Sequence, residues 1–134
     1  MAKDFHIFIS HSWKYPEDLE NLRNLLRNRG YFNVEFEEAS PDEPINSANA
    51  PYIKQRLKRK IENSDIVLGI AGMYASYSDW IEWELGKAIE LSVPIVGVIP
   101  RGQERISTTV SSRSKEDVRW NTESIVTAIR KWAK

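Results

Sequence analysis

Asp65-Ile66-Val67-Leu68-Gly69-Ile70-Ala71-Gly72 carries no polar side chain after its first residue, and that decides the architecture. A strand apolar at successive rather than alternate positions has both faces covered, as at the centre of a parallel sheet with helices on either side. Phe5-His6-Ile7-Phe8-Ile9 and Val93-Pro94-Ile95-Val96-Gly97-Val98-Ile99-Pro100 read the same way. Tyr31-Phe32-Asn33-Val34-Glu35-Phe36 alternates and reads as a strand nearer an edge, and Glu116-Asp117-Val118-Arg119-Trp120 as a short fifth strand.

Helical periods lie between these runs. Pro16, Glu17 and Asp18 suit a first turn, and Leu19, Leu22, Leu25 and Leu26 repeat at helical spacing before Arg29-Gly30 closes the segment. Pro51 opens a second helix with Ile53, Leu57 and Ile61 on one stripe. A third runs from Ser78-Asp79 to about Leu91. Asn121 caps a last one with Ile125, Ala128, Ile129 and Trp132 facing inward. The segment from Arg101 to Lys115 is polar and without period. Strands alternating with helices predict a single doubly wound α/β domain over residues 1–134, with about five parallel strands in the flavodoxin-like order 2-1-3-4-5.

Composition narrows the chemistry. The chain has 134 residues, and 19 basic residues balance 19 acidic ones, so no net charge draws it to nucleic acid or an anionic membrane. The cations Lys54, Arg56, Lys58, Arg59 and Lys60 spread around the second helix without interleaved aromatics and read as a solvated face. Cysteine is absent and only His6 and His11 supply imidazole, so neither a thiolate metal site nor a histidine zinc site is expected. His11 between Ser10 and Ser12 leaves a hydrolase reading thinly supported. The N-terminus has no signal-peptide pattern and no run has membrane-spanning length, which predicts a soluble cytoplasmic protein.

The expected topology sends ligands to the carboxyl ends of strands one and three, where the winding reverses. Those ends are Ser10 to Trp13 and Gly72 to Ser78. The acid- and proline-bearing loop from Glu37 to Ala50 stands nearby as a lid candidate. Without glycines after the first strand there is neither a P-loop nor a dinucleotide fingerprint. Ser10 and Gly72 stand where a phospho-acceptor regulator needs acids. What the third helix brings is Ser78-Asp79-Trp80-Ile81-Glu82-Trp83-Glu84-Leu85. Trp80 and Glu84, four apart, share a face, while Ile81, Leu85 and Ile89 form an apolar stripe. Read alone, Trp80 is a core residue and Glu84 a solvated acid. Set at the switch point, they form an aromatic wall beside a working carboxylate.

These residues resemble a known family. Phe5-His6-Ile7-Phe8-Ile9-Ser10-His11-Ser12 resembles the first box of TIR domains, Ser64-Asp65-Ile66-Val67-Leu68 their third strand, and Ser78 to Leu85 their helix box with its Trp-x-x-x-Glu spacing. With Trp120-Asn121, the set is most similar to the bacterial TIR-like branch that includes the sensor of Thoeris antiphage systems. The resemblance implies cleavage of the nicotinamide glycosidic bond of NAD, as an NAD nucleosidase or ADP-ribosyl cyclase. NAD would be substrate rather than cofactor, and no metal is implied. The product, ADP-ribose or a cyclic isomer, would signal to a downstream effector, with self-association or a phage-derived trigger as activator. Glu84 matches the family's catalytic glutamate. Ser10, His11, Trp13, Tyr74, Ser78 and Trp80 are the expected substrate-binding residues. Two departures stand out: His6 replaces the acid usual in the first box, and the loop after the second strand lacks the Arg-Asp-x-x-Pro-Gly pattern of animal and plant TIR domains. The alternative is a non-catalytic TIR-like interaction module, with Trp80 and Glu84 as an interface patch.

Overall fold

Strand β1 (Asp4–Ser10) is the hinge of the topology, pairing on one side with β2 (Asn33–Phe36) and on the other with β3 (Ile66–Ile70). Beyond β3 lie β4 (Ile95–Ile99) and β5 (Glu116–Arg119), all parallel, in the order β2-β1-β3-β4-β5. The structure is a computed structural model that describes residues 4–11, 16–37, 47–72, 75, 78–102 and 106–134. The helices are α1 (Pro16–Arg27), α2 (Ala50–Glu62), α3 (Asp79–Glu90), α4 (Thr108–Ser111) and α5 (Thr122–Trp132).

The period of two in the strands divides the core into two layers. Phe5, Ile7 and Ile9 of β1, with Ile66, Leu68 and Ile70 of β3 and Val96 and Val98 of β4, meet Leu19, Leu22 and Leu26 of α1 and Ile125, Val126, Ala128 and Ile129 of α5. The intervening positions Phe8, Val67, Ala71 and Ile95 meet α2, α3 and Val110 of α4. Each fully buried Leu or Ile stabilises the fold by about 1.5–3 kcal/mol, against about 1 kcal/mol for a helix cap. Packing therefore places the helices, and the caps set where they begin. Ser78 Oγ accepts the N–H of Ile81 at 3.2 Å to start α3, and Asn121 Oδ1 accepts that of Ser124 at 3.0 Å to start α5.

On the second layer, four residues in lateral register cross the sheet as one row: Ser10 of β1, Gly69 of β3, Gly97 of β4 and Asp117 of β5. The two glycines leave the sheet bare where helices approach it. A Cβ at Gly69 would stand 3.1 Å from Val110 Cγ1 and 3.6 Å from a Leu85 methyl. At Gly97 it would stand 3.1 Å from the same Val110 methyl and overlap the Asp117 carboxylate, which accepts the Ser114 hydroxyl at 2.7 Å.

Several expectations are corrected. The second strand starts at Asn33 rather than Tyr31, because Tyr31 takes a left-handed φ of 59° and is 94% exposed, its carbonyl held by the Arg130 guanidinium at 3.0 Å. The turn after α1 thus falls on Tyr31, not on Gly30. Ile89 does not continue the α3 stripe. It is 53% exposed, and Ala88 takes the inward position, so the buried face is Trp80, Ile81, Glu84, Leu85 and Ala88. Within the stretch without period, Thr108–Ser111 forms one helical turn that seats Val110 in the core. The fifth strand ends at Arg119. Trp132 does face inward: it is half-buried and packed against the first layer, and its indole N–H donates to Glu116 Oε1 at 2.9 Å. Of the loop from Glu37 to Ala50, residues 38–46 lie outside the described residues.

Gly97→Ala should lower the unfolding free energy by about 1–3 kcal/mol, since the clash involves a carboxylate already fixed by hydrogen bonding. Gly86→Ala, in α3 with nothing within 4 Å of the added Cβ, should raise it by about 0.5–1 kcal/mol. Urea midpoints of the two variants beside the parent check both signs.

Candidate functional site

β1 ends at Ser10, on the side of the sheet that α3 covers, and there the two elements make a buried polar contact among apolar side chains. Ser10 Oγ donates to Glu84 Oε1 at 2.7 Å, across 74 residues of sequence. Both residues are fully buried, at 0% exposure. Glu84 is there because the α3 face packed on the sheet takes positions 81, 84, 85 and 88, and position 84 carries the one acid among them. The bond has the usual length of a well-formed O–H···O hydrogen bond. Gly69, the register partner of Ser10, leaves space for Leu85, next to Glu84 on the helix. Sequence reasoning passed over Gly69. Its signal was a glycine inside a strand of branched apolar residues, which marks a close approach of another chain segment.

Trp80, one turn before Glu84, is buried at 6% exposure in the α2–α3 layer. It meets Trp83 edge to face, with ring centroids 6.1 Å apart and planes at 85°. Trp83 itself is half-buried on the outer side of α3, with the ammonium groups of Lys54 and Lys87 at 5.9 and 5.6 Å from its ring. A shallow groove runs past it, lined by Asp79, Glu82, Gly86 and Arg113, and stands apart from the Ser10–Glu84 contact. Ser78 opens the helix as its cap.

His11 follows Ser10 and is 1% exposed. Burial first, and the positive charge of Arg23 second, push its pKa from 6.5 down to about 4. The imidazole is therefore neutral at physiological pH. The structure thus joins Ser10 and Glu84 in one buried polar contact, with Ser78 and Trp80 on the first turn of the same helix, while His11, next in the chain, is buried within the electrostatic reach of Arg23 of α1. Trp13 and Tyr74 lie outside the described residues. Among the described residues, no group of three or more His, Cys, Asp or Glu could hold a metal, and no helix is long and apolar enough to cross a membrane.

The pKa of His11 has a consequence for stability. A histidine that is harder to protonate folded than unfolded contributes stability in full above its unfolded pKa of 6.5 and loses it as pH falls toward about 4. Between pH 7 and pH 5 that loss amounts to about 2 kcal/mol. Asp18 acts the other way: its carboxyl is raised, by burial and then by Glu17, so acidification through its range restores stability. Urea unfolding at pH 7 and pH 5 should show the loss in the parent and about 2 kcal/mol less of it in His11→Asn.

No curated protein matches the chain. Among solved structures, the 2-deoxyribosyltransferase from the psychrotolerant bacterium Bacillus psychrosaccharolyticus aligns with a TM-score of 0.64 at 19% identity, covering 90% of this chain and 89% of that one. The CMP N-glycosidase BcmB of Clostridium botulinum aligns at 0.55 and 12% identity, covering 93% and 98%. The TIR domains of the activated Roq1 resistosome, which directly recognises the pathogen effector XopQ, align at 0.53 and 16%, covering 95% and 71%. At these identities the likeness is one of fold. Residues 8–105, from the middle of β1 past the end of β4, match the family described as Thoeris protein ThsB, TIR-like domain, and the chain belongs to that TIR-like family.

Proposed function

We propose that the chain cleaves the bond between nicotinamide and ribose in NAD, with Glu84 as the catalytic carboxylate. The observation that carries this reading is the Glu84 carboxyl buried at the carboxyl end of β1 and accepting the Ser10 hydroxyl. Loss of nicotinamide builds positive charge at the anomeric carbon. A carboxylate held nearby, with water excluded, stabilises that charge or fixes a ribose hydroxyl. Because burial lets such a charge act through a low dielectric, the same carboxylate on the surface would contribute far less. Trp80 would supply the apolar wall for a flat ring, and His11, Ser78, Trp13 and Tyr74 the remaining lining. His11, neutral at physiological pH, could donate or accept one hydrogen bond there without opposing a developing cation. Two proteins of the same fold are named for deoxyribosyl transfer and for N-glycoside cleavage, which agrees with glycosidic chemistry on this frame.

Glu84 is fully covered, so NAD reaches it only as the covering side chains part. Self-association or a phage-derived component would act at that step. The product, ADP-ribose or a cyclic isomer, would then carry the signal to an effector in the cytoplasm, as antiphage defence requires. An interaction module presenting Trp80 and Glu84 as a patch is disfavoured by their exposures of 6% and 0%.

Mass spectrometry of NAD incubated with purified protein, alone and after triggering, should show nicotinamide release by the parent. In Glu84→Gln that release should fall by about 100-fold or more, with an unchanged circular dichroism spectrum. Equal turnover in the variant removes Glu84 from the chemistry.

A further inference from the structure

Strand β1 ends on a serine whose hydroxyl faces the candidate carboxylate rather than open solvent. Ser10 is 0% exposed and donates to Glu84 Oε1 at 2.7 Å. A serine has a single O–H proton, and here it is committed to the carboxylate, leaving none to give a ribose or phosphate oxygen. Its backbone is locked by pairing with Gly69 near the middle of the sheet, so the hydroxyl is carried by one of the most rigid parts of the fold. Glu84, by contrast, reaches the sheet through three rotatable bonds from a helix. A carboxylate on such an arm needs an external tether to keep its oxygens in one plane and at one distance from a reacting carbon.

We infer that Ser10 is a positioning residue, acting on NAD through Glu84 and not by touching it. The hydroxyl fixes the torsion of the carboxyl group by hydrogen bonding. A carboxylate oxygen that accepts one hydrogen bond keeps a second lone pair, so the tether does not consume the group it orients. Ser10 is thereby distinguished from His11 and Trp80, for which direct contact with substrate is proposed. This assignment rests on the reading of Glu84 as the carboxylate that acts on NAD.

The test compares the full chain with Ser10→Ala, Ser10→Thr and Glu84→Gln for NAD turnover, and for NAD affinity by calorimetry. A tether predicts that Ser10→Ala lowers kcat by about 10- to 100-fold while KM and the dissociation constant of NAD stay within about 3-fold. Ser10→Thr, which keeps the hydroxyl, should recover most of the rate if the circular dichroism spectrum shows it folded. A loss of NAD affinity in Ser10→Ala with kcat preserved would make Ser10 a substrate contact and overturn the proposal. So would an alanine variant with parental kcat. If the parent releases no nicotinamide under any trigger, or Glu84→Gln turns over like the parent, the reading of Glu84 fails first and the tether falls with it. A slow Glu84→Gln beside a fast Ser10→Ala rejects the tether alone.

Discussion

A helix can approach a sheet only as closely as the side chains between them permit, and in this fold that limit is set by two glycines. Gly69 and Gly97 stand side by side in β3 and β4, and Val110 and Leu85 occupy the space that side chains there would fill. This close contact draws α3 down onto the carboxyl half of the sheet, and Glu84 is carried with it to Ser10 of β1. The same row ends at Asp117, held by Ser114 beside α4. One lateral line of the sheet thus carries an acid contact at each end and bare backbone between them. The local propensity of glycine runs against strand formation, which is why its use inside two central strands reports a packing demand.

The opposite layer works by different means. Leu19, Leu22 and Leu26 against Phe5, Ile7 and Ile9, and α5 against β3 and β4, form an apolar layer that needs no special residue. At its outer edge, Arg29 grips Glu123 through two nitrogens at 2.9 and 3.0 Å, drawing the end of α1 to the first turn of α5. This pair is exposed and contributes little to stability beside the layer it borders. The division is physical: one face of the sheet is filled for stability, while the other accepts a polar contact among its helices.

The strand order and the two-layer division were legible because they follow from continuous apolar runs such as Ile66 to Ile70, which only a doubly covered strand tolerates. Ser78 and Asn121 were legible as caps for equally local reasons. Tyr31 was misread because an aromatic residue in a left-handed turn is decided by tertiary contacts, here with Arg130, and not by propensity. Ile89 was misread because a stripe written every four residues drifts around a helix of 3.6 residues per turn, and Ala88 is the residue that stays inward. In the candidate site, Glu84 and its helix were found through a family spacing. Its burial and its bond to Ser10 could not be, because both depend on how far α3 sinks toward the sheet, which Gly69 determines.

Position 84 also carries a stability cost. Three neighbours on the same face, Ile81, Leu85 and Ala88, are apolar and fully buried, and a leucine or methionine would continue that face with favourable burial. An acid there must be removed from water, a cost that a leucine or methionine would not carry and that hydrogen bonding such as that from Ser10 acts to offset. Selection for folding alone would discard such a residue. If Glu84 does the work proposed for it, the fold trades durability for chemistry at this position, keeping an ionisable group in a packed layer at the expense of a more stable helix.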